Sequence, residues 1–314
     1  MRKKGVLLLN MGGPNNLDEV ELFLRNMFAD PRILPMNGWM RKRIGSMIVR
    51  RRLEEAQENY RELGGRSPLT QITWSLAAKV ETQSGVLVRP AMRYVPPFAD
   101  PALREFAEEG IEELVLFPMY PHYSTTTTLS SVEDVEARCA AMGYHPRIRV
   151  VDPYYDDYDY LAIQADRIAE AAEGIETREY DLILSAHGLP MSIIEAGDPY
   201  EKQVEANVSA LRTILRCRGI IFKNIKLAYQ SKVGNAAWLE PNLSDVLRRP
   251  ENLKVLIFPL AFTVDNSETL FELDREHRAI AEKIGYEDYR VARCPNDGED
   301  FAAFIAEKIG EEDA

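Results

Sequence analysis

The chain has 314 residues, 46% of them apolar and 28% charged, with a formal net charge of −12. That length exceeds what one hydrophobic core usually serves and predicts two domains of globular composition. The acidic balance argues against nucleic acid as a partner. The longest mainly apolar stretch, 255–264, is half a membrane span and contains Pro259, so no transmembrane helix is expected.

The chain opens with Arg2-Lys3-Lys4 and Val6-Leu7-Leu8-Leu9, which imitates a signal peptide. Asn10 and Gly12-Gly13-Pro14 end the apolar run too early for one, so a first strand of a cytoplasmic protein is expected. Residues 31–53 hold no acid and seven bases, namely Arg32, Arg41, Lys42, Arg43, Arg50, Arg51 and Arg52. Among them stand Ile33, Leu34, Met36, Trp39, Met40, Ile44 and Met47, a mixture that reads as a membrane-surface element. A basic helix lying on acidic surface of the same protein is the competing reading. Further strand ends are read at Ala91-Met92-Arg93-Tyr94, Val115-Leu116-Phe117-Pro118, Leu182-Ile183-Leu184, Ala228-Tyr229 and Val255-Leu256-Ile257-Phe258, alternating with helical patterns. An acidic, tyrosine-rich turn at 154–160 opens the second half. Cys139, Cys217 and Cys294 are too few and too scattered for a disulfide framework or an intrachain four-thiolate site, and they suit a reducing compartment.

Three strand ends recur. Leu7 to Pro14 parallels Ile183 to Pro190, Ala91 to Tyr94 parallels Ala228 to Ser231, and Val115 to Met119 parallels Leu256 to Leu260. The expected fold is α/β: two similar doubly wound, Rossmann-like parallel-sheet domains facing a central cleft. No G-x-G-x-x-G or P-loop string is present, which disfavours nucleotide binding.

Two strings follow strand ends, where open α/β folds bind ligands: Ser185-Ala186-His187-Gly188-Leu189-Pro190 and Asp265-Asn266-Ser267-Glu268. Imidazole with carboxylate suits a divalent first-row metal such as iron. A neutral His187 would also have the basicity for proton transfer near pH 7. Asp265, Glu268, Glu272 and Glu276 are spaced to line one helix face. An ordinary solvated amphipathic helix has the same pattern, but here the first acids abut a strand end.

The SAHGLP string at 185–190, Tyr229-Gln230-Ser231-Lys232-Val233-Gly234 with Trp238-Leu239, and Leu9-Asn10-Met11-Gly12-Gly13-Pro14 together resemble the ferrochelatases, from about Val6 to about Phe301. The resemblance implies two chelatase-type domains. Residues 1–153 would form the first, with a lip at about 31–53 and completion by a C-terminal helix within 296–314; residues 154–295 would carry the metal site. It implies insertion of Fe2+ into protoporphyrin IX, with both as substrates and no resident cofactor. His187, Glu268 and Asp265 would be catalytic, His187 and Glu268 would hold metal, and Glu272 and Glu276 would conduct protons or metal. Met11, Tyr60, Ser67, Arg93, Tyr120 and Trp238 would bind porphyrin. The chain departs from the common family form at Asn266, where many members have histidine. A [2Fe–2S] cluster needs four thiolates, one more than the chain has. The expected location is cytoplasmic, with peripheral contact at the inner face of the membrane through the lip. The alternatives are a coproporphyrin ferrochelatase, a cobalt or nickel chelatase, and a non-catalytic haem or porphyrin carrier.

Overall fold

The computed structural model describes residues 3–234 and 236–311; Arg2 of the basic N-terminal triplet lies outside them. The chain divides into two compact units. Unit 1 runs to Tyr120, resumes over Ser124–Asp152 and takes in the segment beginning at Asp297; unit 2 comprises Pro121–Tyr123 and Pro153–Asn296.

Unit 1 is built on strands β1 (Lys4–Asn10), β2 (Leu87–Met92), β3 (Glu113–Pro118) and β4 (Arg147–Val150), all parallel, in the order β2-β1-β3-β4. Unit 2 repeats this with β5 (Asp181–His187), β6 (Asn224–Gln230), β7 (Lys254–Pro259) and β8 (Asp288–Val291), in the order β6-β5-β7-β8. The central strands are the near-continuous apolar runs, buried almost throughout, as a sheet covered on both faces requires. Strand arginines fall on the edge strands β2, β4 and β8, whereas Lys4, Glu113, Asp181 and Lys254 open the central strands.

The repeat extends to register. Leu7 lies opposite Arg89 and Leu116, and its counterpart Ile183 lies opposite Lys226 and Ile257. Val115 faces Arg149 as Leu256 faces Arg290. These are the pairings that the sequence parallels require.

The helices are α1 (Glu19–Ala29), α2 (Gly38–Glu62), α3 (Leu69–Ser84), α4 (Ala99–Glu108), α5 (Ser130–Met142), α6 (Tyr158–Ala171), α7 (Met191–Glu195), α8 (Tyr200–Cys217), α9 (Leu243–Arg248), α10 (His277–Ile284) and α11 (Glu299–Gly310). π-Helical segments at Thr125–Leu129 and Glu268–Glu276 lead into α5 and α10, one in each unit.

The unequal offsets of the repeat have a structural source. The β1–β2 connection carries α1, α2 and α3, whereas the β5–β6 connection carries α7 and α8. Helix α2 lies close on α1 because Gly45 has no side chain; a Cβ there would stand 3.0 Å from the Phe28 carbonyl oxygen. The outer surface of α2 leaves Trp39, Met40 and Met47 exposed beside Lys42, Arg43 and Arg50. Helix α11 packs on α3, and Asp297 just before it accepts from the Ser75 hydroxyl at 2.5 Å and pairs with Lys79 at 3.5 Å.

Where β1 ends, Gly12 takes φ +88°, and a Cβ there would lie 2.7 Å from Val95 Cγ2 and 2.9 Å from Met92 Cβ. Both the left-handed backbone and the close approach require glycine. Gly12→Ala is therefore expected to destabilise the protein by about 1–3 kcal/mol. Urea unfolding checks this: the midpoint should fall with little change in slope, and an unchanged midpoint would refute it.

Candidate active site

The strand orders place a topological switch point between β1 and β3 in unit 1 and between β5 and β7 in unit 2, the position where doubly wound sheets open a crevice at their carboxyl ends. His187 is the last residue of β5. Its Nδ1 lies 2.6 Å from the Gly188 carbonyl oxygen, and Tyr200 donates its hydroxyl to the His187 carbonyl at 2.9 Å. A protonated Nδ1 facing that carbonyl directs Nε2 outward, where it meets Glu268 Oε1 at 3.5 Å. Gly188 permits the tight turn, since a Cβ there would stand 2.9 Å from the Gln230 carbonyl oxygen and 3.4 Å from the Trp238 ring. Trp238 thus packs beside the histidine turn, and its buried indole Nε1 finds no hydrogen-bond partner among the described residues.

Partial burial works to lower the His187 pKa. The adjacent Glu268, then the charge of Glu272 and the Gly188 carbonyl, outweigh it and raise the value to about 9. That shift favours an imidazolium beside a carboxylate at neutral pH, where the sequence suggested a neutral imidazole.

The acidic row also differs from expectation. It is π-helical, with the His277 N–H reaching back to the Glu272 carbonyl, and it starts at Glu268, leaving Asp265 outside the helix. Asn266 caps the start: its Oδ1 accepts from the Glu268 N–H at 2.7 Å and its Nδ2 donates to the Val264 carbonyl at 3.1 Å. Asparagine thus has a definite structural role where many relatives in the resemblance have histidine. Asp265 is buried and accepts from the Thr269 hydroxyl at 2.9 Å, Asn296 Nδ2 at 2.6 Å and the Cys294 N–H at 3.4 Å. Both its oxygens are occupied within the protein. Glu272 is likewise anchored, accepting from the Ser231 N–H at 2.7 Å, the Ser231 hydroxyl at 2.5 Å and Gln230 Nε2 at 3.2 Å. Ser231 holds a left-handed φ of +66°, and Glu272 takes both of its donors. Glu276 is exposed. Among the described residues, no three His, Cys, Asp or Glu groups are gathered as a metal cluster.

In unit 1, Met11 follows the last residue of β1 and is half-buried, and Tyr120 lies just past β3 with its hydroxyl 3.4 Å from Ser131 Oγ. Ser67 is buried against Gly13, and its Oγ accepts from the Leu69 N–H at 3.3 Å at the start of α3. Tyr60 is buried among the residues that join α1 to α2. Arg93 is engaged internally: Nε donates to Ser130 at 3.0 Å, and the guanidinium pairs with Asp30 and Asp134, each at 3.2 Å. Asp30 is buried and also accepts from the Tyr94 hydroxyl at 2.8 Å and from Ser130. Arg93 is thus held by two carboxylates of unit 1, alongside the porphyrin-binding role that the resemblance implies for it.

The family described as Ferrochelatase matches residues 3–313. The chain belongs to the ferrochelatase family. It is 50% identical over 311 residues to the ferrochelatase of Wolinella succinogenes, covering 98% of each chain. It is 48% identical to that of Nitratiruptor sp., covering 95% of this chain and 96% of the other. Among solved structures, SirB from Bacillus subtilis with Fe3+ has a TM-score of 0.58 at 12% identity, covering 98% of this chain and 96% of that one. CbiX, the terminal enzyme for biosynthesis of siroheme in denitrifying bacteria, has a TM-score of 0.52 at 16% identity, covering 98% of each. At such identities these structures show a shared fold.

In this ferrochelatase-family chain the amides around the pair, Asn266, Gln230 and Asn296, have supporting roles that the sequence strings did not reveal. Gln230 is buried, accepts from Ser185 Oγ at 2.8 Å and donates towards the Glu268 carbonyl at 3.3 Å. Asn-Ser-Glu just past a strand was a usable capping signal for Asn266; nothing local marks the other two.

The raised His187 pKa sets a pH dependence. The stabilisation from the pair is complete below the ordinary value of 6.5 and is lost as pH rises through about 9. Glu268→Gln should lower the pKa of this imidazole and flatten the decline in stability across that window. NMR titration of the ring checks it; a wild-type midpoint near 6.5 would refute the pairing.

Proposed function

We propose that this chain inserts Fe(II) into protoporphyrin IX, releasing the two pyrrolic protons, with His187 and Glu268 as the reacting pair. The observation that carries this reading is the His187 Nε2–Glu268 Oε1 approach of 3.5 Å at the carboxyl ends of β5 and β7, with Nδ1 committed to Gly188. The raised His187 pKa favours the charged ring at rest, so Glu268 is the first acceptor or ligand; as Fe2+ approaches, His187 passes its Nε2 proton to the acidic row and frees that nitrogen. Two protein donors leave most positions around the metal for ring nitrogens, which suits a site that passes iron on rather than stores it. The iron's two charges replace the two N–H protons, so the core of the product is neutral. Glu272 and the exposed Glu276 continue the acidic row and serve as the exit for protons. Met11, Tyr60, Ser67, Arg93, Tyr120 and Trp238 are the porphyrin-binding set of this reading, Arg93 with its guanidinium fixed by Asp30 and Asp134.

No resident cofactor is needed. Cys139 and Cys294 are buried, and their thiols are pushed up, chiefly by burial, to about 11 for Cys139. The Asn10-Met11-Gly12-Gly13-Pro14 form supports protoporphyrin over coproporphyrin. A carrier would need an axial ligand but no carboxylate beside it, so insertion assays on the purified protein separate the two. His187→Ala should lower anaerobic Fe(II) insertion by about a hundredfold or more while porphyrin still binds. Loss of porphyrin fluorescence on adding Fe(II) measures this, and near wild-type turnover would remove His187 from the mechanism.

The exposed face of α2 supports a peripheral contact with anionic lipid at the cytoplasmic face of the membrane. Trp39 is 69% exposed and Met47 54%, among bases that would meet lipid phosphates. Arg32 is the exception, pairing instead with Glu133 of unit 1. Replacing Trp39 and Met40 with serine should weaken partitioning to anionic vesicles, because full burial of such side chains is worth about 1.5–3 kcal/mol each. Equal sedimentation of variant and wild type with vesicles would exclude the contact.

A further inference from the structure

Asn296 occupies an unusual position. Its backbone is left-handed at φ +56°, a conformation that few residues other than glycine and asparagine adopt without cost. Three hydrogen bonds hold it there. Its N–H donates to the Thr263 carbonyl at 2.8 Å, its Oδ1 accepts from the Asp265 N–H at 2.8 Å, and its Nδ2 donates to Asp265 Oδ2 at 2.6 Å. The last two form a reciprocal clasp, with one amide reading both the backbone and the carboxylate of a single residue.

Asp265 passes that constraint on. Its Oδ1 receives the Thr269 hydroxyl at 2.9 Å, and the same hydroxyl accepts from the Asn266 N–H at 3.0 Å. Asn266 in turn caps the Glu268 N–H. Every link from Asn296 to the backbone of Glu268 is thus a hydrogen bond, most of them half-buried or buried, where each is worth more than in water. We propose that Asn296 is a positioning residue whose clasp on Asp265 fixes the start of the acidic helix and so holds Glu268 against His187. The proposal rests on the reading of His187 and Glu268 as the reacting pair. Asp265 then has a supporting role, because its charge is used within the clasp and does not reach substrate.

Asn296→Gly separates the side chain from the backbone, because glycine keeps the left-handed conformation and removes the clasp. It should lower kcat for Fe(II) insertion by about tenfold to a hundredfold, the usual cost of losing a residue that orients a metal-handling group, with KM for porphyrin unchanged. Asn296→Asp should be worse, since it sets two carboxylates face to face. Adding Asp265→Asn to Asn296→Asp re-forms an amide–carboxylate pair with the roles exchanged and should recover most of the lost kcat. Wild-type kcat in Asn296→Gly would overturn the proposal. So would a double variant no better than Asn296→Asp, which would mean that Asp265 acts through its own charge. If Asn296→Gly fails to fold, the comparison between Asn296→Asp and the double variant decides. His187→Ala, run alongside, keeps the two readings apart: full turnover there removes the reacting pair, whereas its loss with an unaffected Asn296→Gly removes the clasp alone.

Discussion

In each unit the two central strands, β1 with β3 and β5 with β7, are buried on both faces, so their side chains are committed to packing along almost their whole length. Charge is admitted at strand starts, where Glu113 is met by Lys4 and Arg149, and Asp181 by Lys226. Elsewhere an unpaired polar group in such a sheet would cost several kcal/mol. Reactive side chains are therefore displaced to the carboxyl ends of the strands, and the strand order opens those ends at the switch points. His187 and Glu268 stand there because the rest of β5 and β7 cannot hold them.

The shared register makes the two units comparable position by position, and the comparison is chemically one-sided. Met11 corresponds to His187, and Ser124, Thr127 and Ser131 correspond to Asp265, Glu268 and Glu272. Both units follow their third strand with a π-helical segment, so the local geometry is conserved while the chemistry is not. Unit 1 carries hydroxyls and a thioether where unit 2 carries carboxylates and an imidazole. A neutral set can touch a ligand, whereas the charged set can also exchange protons and hold a cation.

Around the charged set the supporting groups are mostly amides. Gln230 and Asn296 hold the Glu272 and Asp265 carboxylates and Asn266 holds the Glu268 backbone, all without the charge that a lysine or arginine would add. This leaves Glu268 and Glu272 free to raise the His187 pKa. In unit 1 the reverse holds, because Arg93 is met by two carboxylates and its charge is spent within the protein.

The residues by themselves determined the parallel α/β architecture, the duplication and its register, and the placement of His187 and the acidic row at strand ends. Apolar periodicity and strand alternation act over a few residues, and repeated strings carry their own alignment. Only the tertiary structure decided what the polar groups do once placed. Asp265 is claimed by Asn296 and Cys294, Arg93 by Asp30, and Glu272 by Ser231, all from distant parts of the chain. The acidic row spaced for an α-helix is wound as a π-helix, and the His187 pKa is raised because a carboxylate from beyond another strand's end lies beside it. A side chain's type fixes the bonds it can make, but its partner, and with it its protonation state, is set by which remote segment the fold brings within about 3 Å.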